Sequence, residues 1–339
     1  MPWKVVMTFL LSGIAVDETA YKGLDVQFTK KLCRSQEEII EFARDADAVV
    51  TGGQDFNKKV IDSLEKCRII ASSGIGYEKI DLKAATERGI LVTNTPDYCV
   101  EEVSDHAMAL ILACNRKIVR LVDAVRAGKW DSVEKREIRY QIMPPMTRLR
   151  GLTLGLVGFG RIPRTMVPKA KGFGLRIIAY DPYVPAEVAR TLGVELVDFD
   201  TIVTQSDFIS IHAALTPETK NLFGLEQFRK MKRTAYLINT ARGALVDQQA
   251  LHQALTEGLI AGAALDVMEP EPPRADDPLL KLNNVIITAH SANFSDQAMI
   301  DLFSHPQQEV ARVLSGQWPK ALVNPQAKEK FTARFGRMR

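Results

Sequence analysis

Leu154-Gly155-Leu156-Val157-Gly158-Phe159-Gly160-Arg161-Ile162-Pro163, with a lone acid further on at Asp181, is the stretch on which the reading of this chain turns. An apolar run ends in Gly158-Phe159-Gly160, a helix-like segment follows from Arg161 to Phe173, and a second apolar strand, Leu175 to Tyr180, stops on Asp181. That is the layout of a dinucleotide-binding βαβ unit. The first glycine permits the tight turn, the second lets backbone N–H groups approach a pyrophosphate, and the helix N-terminus adds positive potential. A carboxylate about twenty residues beyond the glycines can accept hydrogen bonds from both ribose hydroxyls. It would repel a 2′-phosphate, and Pro182-Tyr183-Val184 supplies no Arg or Lys to relieve that repulsion, so NAD is favoured over NADP. Pro163 stands where a third glycine is usual; proline is tolerated in a first helical turn because its missing N–H would be unpaired there anyway.

At 339 residues the chain is too long for one small core, and two domains are expected. Hydrophobic content of 46% and charged content of 25% are those of an ordinary globular protein. A net charge of +3, without a basic stripe interleaved with aromatics, indicates no nucleic-acid partner. The basic end from Lys328 to Arg339 reads as a solvated tail. No apolar stretch approaches a membrane span, and Met1-Pro2-Trp3-Lys4 does not open a signal peptide. Cys33, Cys67, Cys99 and Cys114 are scattered without metal-ligand spacing, which points to reduced thiols in a cytoplasmic protein with no metal site.

The first hundred residues alternate short apolar runs with helical patterns. Val5 to Leu10, Ala48 to Thr51, Ile69 to Ser72 and Ile90 to Val92 read as buried strands; Ser35 to Arg44, Lys58 to Glu65 and Leu82 to Arg88 read as helices between them. Val100 to Arg126 is one long helical pattern, followed by a polar connection from Asp131 to Arg150. A second strand series comprises Leu152 to Val157, Leu175 to Tyr180, Phe208 to His212, Ala235 to Asn239, Gly262 to Val267 and Val285 to Thr288. Ser295 to Leu314 is a last long helix. Two parallel α/β domains follow from this pattern.

Three chemically able side chains fall just after strands of the second series, where ligand crevices of open parallel sheets lie: Arg242, Glu271 and His290. A guanidinium can clamp a carboxylate at two points, an imidazole can trade a proton near neutral pH, and a carboxylate beside it would hold its tautomer. Singly, each has an ordinary explanation. Arg242 could cap or face solvent, Glu269 and Glu271 could be solvated in a Pro-rich loop, and His290 could be structural. His212, also at a strand end, is a rival proton donor.

Taken together, Asn239-Thr240-Ala241-Arg242-Gly243, Ala264-Leu265-Asp266-Val267 with Glu271-Pro272, and His290 resemble the D-isomer-specific 2-hydroxyacid dehydrogenase family. Its signatures extend upstream to Gly74-Ile75-Gly76-Tyr77-Glu78-Lys79-Ile80-Asp81 and Asn94-Thr95-Pro96, in the family's order over nearly the whole chain. Arg148-Leu149-Arg150-Gly151, Tyr180-Asp181-Pro182-Tyr183, Val100-Glu101-Glu102-Val103 and His290-Ser291-Ala292 are similar to its C-terminal-binding protein branch, which includes transcriptional corepressors.

The resemblance implies two doubly wound α/β domains: a Rossmann NAD-binding domain over residues 100–293, and a flavodoxin-like substrate domain over residues 1–99 plus 294–339. It implies that Arg242 binds the substrate carboxylate and polarises the 2-oxo group, that His290 exchanges the carbonyl proton, and that Glu271 pairs with His290 and favours its charged form. Backbone N–H groups of Ser73, Gly74, Ile75 and Gly76 would share the carboxylate. Gly158, Phe159, Gly160, Arg161 and Ile162 would cradle the NAD pyrophosphate and Asp181 the ribose. His212 and Thr216 would line the cofactor groove, and Thr240 and Asp266 would sit by the nicotinamide. Substrate would bind in the cleft between domains of a homodimer joined through its cofactor domains, with a small 2-oxoacid or 2-hydroxyacid as the partner and neither nucleic acid nor membrane involved. Ala289 and Ala214 replace prolines common in the family; Ser72 and Asn293 replace an arginine and a tryptophan of the corepressors, so their preferred oxoacids do not transfer. The absence of a regulatory domain after residue 339 weakens a feedback-regulated phosphoglycerate dehydrogenase. Two functions remain: an NAD-dependent reductase of a small 2-oxoacid, and an NAD(H)-sensing binding protein with little turnover.

Overall fold

Apolar runs rich in Val and Ile become parallel strands in both halves of the computed structural model, which describes residues 1–10, 16, 18–130, 137–143 and 145–338. One unit comprises Met1–Cys99 with Ser295–Arg339, the other Val100–Phe294. In the first unit β1 (Trp3–Met7), β2 (Val26–Lys30), β3 (Ala48–Thr51), β4 (Ile69–Ser72) and β5 (Leu91–Thr93) form one sheet in the order β2-β1-β3-β4-β5. Every residue of β3 and β4 is buried, which is why these segments read as unbroken apolar runs. β2 was not expected. Val26-Gln27-Phe28-Thr29-Lys30 mixes polar with apolar residues because it is an edge strand, paired on one side only, with no residue fully buried.

The helices Gln36–Ala43, Lys58–Ser63 and Leu82–Glu87 start at Ser35, Asn57 and Asp81, each of whose side chains accepts the N–H three residues on. The final segment belongs to the same unit. Asp296–Leu314 packs on β4, and the Asn324 side chain accepts from Val92 N at 2.8 Å while donating to Ile90 O at 3.0 Å. The solvated tail expected from Lys328 onward is corrected here. Ala327–Phe335 is a helix, with Phe331 buried and Arg334 Nη1 donating 2.8 Å to Arg88 O; the basic residues form its outer face, and residue 339 lies outside the described residues.

In the second unit β6 (Thr153–Val157), β7 (Arg176–Tyr180), β8 (Glu195–Leu196), β9 (Phe208–Ile211), β10 (Tyr236–Asn239), β11 (Gly262–Leu265) and β12 (Val285–Ile287) run parallel in the order β12-β11-β10-β9-β6-β7-β8. The direction of winding reverses between β6 and β9, so a crevice opens beyond their carboxyl ends. Gly158 follows β6 and His212 follows β9. The short β8 is too brief to carry a strand pattern. The single helix expected from Val100 to Arg126 is two, Val100–Arg116 and Ile118–Arg126, broken at Lys117, whose φ is +54°. The cause is tertiary: the Lys117 amine turns inward to donate to the Tyr236 hydroxyl and lies 4.8 Å from its ring. Of the connection from Asp131 to Arg150, residues 131–136 and 144 lie outside the described residues; Glu137–Gln141 is helical. No described helix is long and apolar enough to cross a membrane.

Candidate active site

Gly158 has φ +88°, and a Cβ there would lie 2.8 Å from the backbone of His212 and Ala213. Only glycine lets β6 turn this close to the end of β9. At Gly160 a Cβ would meet nothing within 4 Å, so the face above the helix Arg161–Gly172 is open. The first N–H groups of that helix have no intrahelical partner, and Pro163, buried, removes one of them without breaking the turn. Asp181 is clasped rather than loose. Oδ2 accepts from Phe159 N at 2.8 Å and Oδ1 from Tyr183 N at 2.9 Å, which fixes the carboxylate beside the glycine turn. A carboxylate has about four acceptor positions, so two remain for ribose hydroxyls.

Thr240 Oγ1 is buried with no hydrogen-bond partner among the described residues, directly after β10. An orphaned hydroxyl, an open glycine cradle and a fixed acid at the end of β7 are what a dinucleotide requires, and the residues fit NAD. His212 is half-buried, with Nε2 at 2.9 Å from Ser210 Oγ; burial pushes its pKa down to about 4. Burial thus disfavours its charged form, and its Nε2 is engaged by Ser210 rather than by a carboxylate as in the His290 pair. Thr216 is exposed and closes a local turn with Thr219, Thr216 N donating to Thr219 Oγ1 at 2.7 Å.

The three chemically able residues all lie in the second unit. Asn239, fully buried at the end of β10, shapes the turn that carries Arg242: its Oδ1 accepts from Ala241 N at 3.0 Å and its Nδ2 donates to Arg242 O at 2.9 Å. Arg242 Nη1 donates to Ala241 O at 2.8 Å. A Cβ on Gly243 would fall 2.1 Å from the carbonyl carbon of Met268, so the arginine turn rests directly on the loop carrying Glu271. In that loop Met268 N donates to Glu271 Oε1 at 3.0 Å, while Glu271 Oε2 lies 2.8 Å from His290 Nδ1. A carboxylate only accepts, so the proton of this pair sits on Nδ1 and Nε2 is left for a substrate; among the described residues Nε2 has no partner. Glu269, the other acid of the loop, makes no ion pair among the described residues.

His290 occupies the left-handed region at φ +49°, held by its N–H donating to Asp266 O at 2.8 Å. Asp266 is almost wholly buried. Its Oδ1 accepts from Thr288 Oγ1 at 2.5 Å and Ser291 N at 3.0 Å, and its Oδ2 from Ala292 N at 2.9 Å. Expected near the nicotinamide, Asp266 here shapes the turn that presents His290. In the first unit the expectation for the Ser73–Gly76 loop needs one correction. Ser73 N donates to Thr51 O at 2.7 Å, continuing the β3–β4 ladder, so it has no N–H to offer a substrate; its Oγ is buried and unpartnered. Among the described residues the N–H groups of Gly74, Ile75 and Gly76 have no partner, Gly74 having φ +149°. Sequence reasoning missed Asn239 as the shaper of the arginine turn and missed His106, which approaches Thr288 and Asp266. Asn239 carries a signal, being a polar residue at the end of an apolar strand; His106, inside a helical pattern, carries none.

Residues 108–292 match the family described as D-isomer specific 2-hydroxyacid dehydrogenase, NAD binding domain. The chain is 43% identical over 291 residues to a glyoxylate reductase of Korarchaeum cryptofilum, covering 86% of each protein. It is 41% identical over 292 residues to a D-3-phosphoglycerate dehydrogenase of Methanocaldococcus jannaschii, covering 86% of this chain but only 54% of that relative. Among solved structures, the D-lactate dehydrogenase of Aquifex aeolicus complexed with NAD and lactic acid superposes with a TM-score of 0.81 at 27% identity, covering 95% of this chain and 99% of the other.

Proposed function

The chain belongs to the D-isomer-specific 2-hydroxyacid dehydrogenase family, and from that premise we propose that it interconverts a small 2-oxoacid and its D-2-hydroxyacid with NAD as cofactor. The observation that carries the reading is the Glu271–His290 pair, 2.8 Å apart, with the second oxygen of Glu271 pinned by Met268 N–H. A carboxylate fixed at both oxygens orients the imidazole and sets which of its nitrogens faces the substrate. In the reducing direction His290 Nε2 gives its proton to the carbonyl oxygen as that oxygen gains electron density, and in the oxidising direction it takes the proton back. Arg242 holds the substrate carboxylate and draws charge toward the carbonyl oxygen. On the first unit, the N–H groups of Gly74, Ile75 and Gly76 form a separate set of donors suited to a carboxylate. The nicotinamide cofactor, when bound, would supply the hydride for the carbonyl carbon. Gly160 to Ile162 and Asp181 hold the dinucleotide, while the Phe159 N–H expected in the cradle is instead spent on fixing Asp181; the clasped acid favours NAD over NADP, and Thr240, Thr216 and His212 line the cofactor's path.

We infer that the protein works as a cytoplasmic homodimer. Ile118, Val119, Val122 and Val125 leave between 40% and 48% of their surface exposed on the helix Ile118–Arg126. Positions 118, 122 and 125 fall on one stripe, an apolar face suited to a second copy of the same helix. Loss of NADH absorbance across glyoxylate, hydroxypyruvate, pyruvate and phenylpyruvate tests the activity, with Arg242→Ala as control. Turnover of one member, lost in the control, supports the dehydrogenase and identifies the substrate class. Tight NADH binding with silence across the panel favours the NAD(H)-sensing binding protein instead.

A further inference from the structure

Behind the turn that presents His290 lies a second histidine. His106, on the helix Val100–Arg116, places Nε2 at 3.1 Å from Thr288 Oγ1 and 3.6 Å from Asp266 Oδ1, with 23% of its side chain exposed. The hydrogen bonds fix its tautomer. Thr288 Oγ1 gives its one proton to Asp266 Oδ1, so toward His106 it can only accept, and Nε2 must carry a hydrogen. Asp266 in turn receives the Ser291 and Ala292 N–H groups through its side chain and the His290 N–H through its carbonyl. Its carboxylate is 1% exposed, and His106 is the sole basic side chain within ion-pair distance of it among the described residues.

We propose that His106 is a positioning residue for the reaction: its Nε2–H locks the Thr288 hydroxyl onto Asp266, and Asp266 then holds His290 in its left-handed conformation, where Nδ1 meets Glu271. The proposal rests on the reading of His290 as proton donor. A left-handed backbone at a non-glycine residue is disfavoured and persists only where its surroundings enforce it. The Asp266 carboxylate and carbonyl are that enforcement, and His106 together with Thr288 keeps the carboxylate aimed. Without the Nε2 donor the Thr288 hydroxyl is free to rotate, Asp266 loses its shortest hydrogen bond, and the His290–Ala292 turn relaxes. The adenosine end, held by Asp181 and the glycine turn, shares none of these contacts.

The test uses the 339-residue chain in five forms: wild type, His106→Leu, His106→Gln, Thr288→Val and the His106→Leu/Thr288→Val double variant. A glutamine amide can place a donor where Nε2 stood; leucine cannot. His106→Leu is expected to lower kcat about 10- to 100-fold, the scale of a misplaced catalytic group. KM for the oxoacid and NADH affinity should stay within a few-fold, and His106→Gln should recover most of the loss. Because both residues act through one hydrogen bond, the double variant should be no worse than Thr288→Val alone. An independent arm needs no turnover. The chain has only five histidines, so the His290 C2–H resonance is readily assigned by its disappearance in His290→Gln, and its position should move in His106→Leu and return in His106→Gln. Turnover within twofold of wild type in His106→Leu, losses that simply add in the double variant, or an unmoved His290 resonance would overturn the proposal. If the wild type reduces no oxoacid, the dehydrogenase reading fails by itself while the resonance arm still decides the relay.

Discussion

Replacing Gly243 by Ala puts one methyl group where the structure has a backbone. The added carbon would sit 2.1 Å from Met268 C, 2.2 Å from Met268 O and 2.7 Å from Glu269 N, whereas ordinary contact begins near 3.4 Å. The two chain segments must therefore separate by about 1.3 Å, and none of the three contacts is the tip of a flexible side chain that could swing away. One segment carries Arg242 and the other presents Met268 N–H to Glu271, so the separation moves the carboxylate clamp relative to the Glu271–His290 pair. A displacement of about 1 Å at a reacting centre costs about a hundredfold in rate, and overpacking a buried backbone costs roughly 1 to 3 kcal/mol. Gly243→Ala should thus lose about two orders of magnitude in kcat and lower Tm by roughly 2 to 4 °C for each kcal/mol. The matched control is Gly160→Ala, where the new carbon meets nothing within 4 Å and φ is −74°; Tm should hold while NADH binding weakens, because the methyl group enters the pyrophosphate cradle. Turnover and melting by Gly243→Ala at wild-type values would refute the claim that the two loops are in rigid contact.

Four further outcomes are expected. His290→Gln should reduce turnover by roughly 10²- to 10⁴-fold with NADH affinity intact, as measured by steady-state kinetics and fluorescence titration; activity surviving within a few-fold would deny it the proton-donor role. Asp181→Ala should weaken NADH binding and relax discrimination against NADPH, and an unchanged preference in competitive binding would remove Asp181 from the ribose site. His212, with its pKa near 4 in the folded state against 6.5 for the free side chain, takes up a proton more readily when unfolded. Its contribution to stability is therefore complete above about pH 6.5 and is lost as pH falls toward 4, and His212→Asn should flatten that part of a Tm-against-pH curve. Val122→Glu, in the middle of the apolar stripe, should yield a monomer by sedimentation velocity; a dimer unchanged by it would place the contact elsewhere.

The cofactor turn was legible because its constraint is steric and falls on the backbone itself. A φ of +88° with backbone 2.8 Å away admits only glycine, and that demand is printed in the sequence at Gly158. The buried strands β3, β4, β6 and β9 were equally plain, since both faces are covered and the residue types cannot vary. Arg242, Glu271 and His290 were recognisable in type and position but not in contact, and residue chemistry alone left His212 as a rival, because the carboxylate that pairs with His290 lies nineteen residues away along the chain. What escaped depended on partners far along the chain. Lys117 looks like any helical lysine, yet it breaks a helix for a tyrosine hydroxyl 119 residues away. The helix at Ala327–Phe335 was masked by its charges, although Phe331 is buried and Lys328 lies 4.8 Å from the Trp318 ring. Ser73 was assigned a ligand-binding N–H that the sheet already uses, because a strand end is fixed by its neighbour, Thr51, and not by its own sequence.

The way the first unit is assembled has a consequence for synthesis. Its sheet is encoded within residues 1–99, but the helix that covers β4 and the Asn324 amide that caps β5 come from residues 295–339. On the ribosome this sheet emerges before residues 295–339 and must wait with one apolar flank bare until they have been made. The second unit, drawn from one continuous stretch, can fold in that interval. The unit begun first is thus completed after the other, and a stalled or truncated chain ending before residue 295 would present a folded cofactor unit tethered to a sticky, incomplete neighbour that chaperones or proteases can recognise.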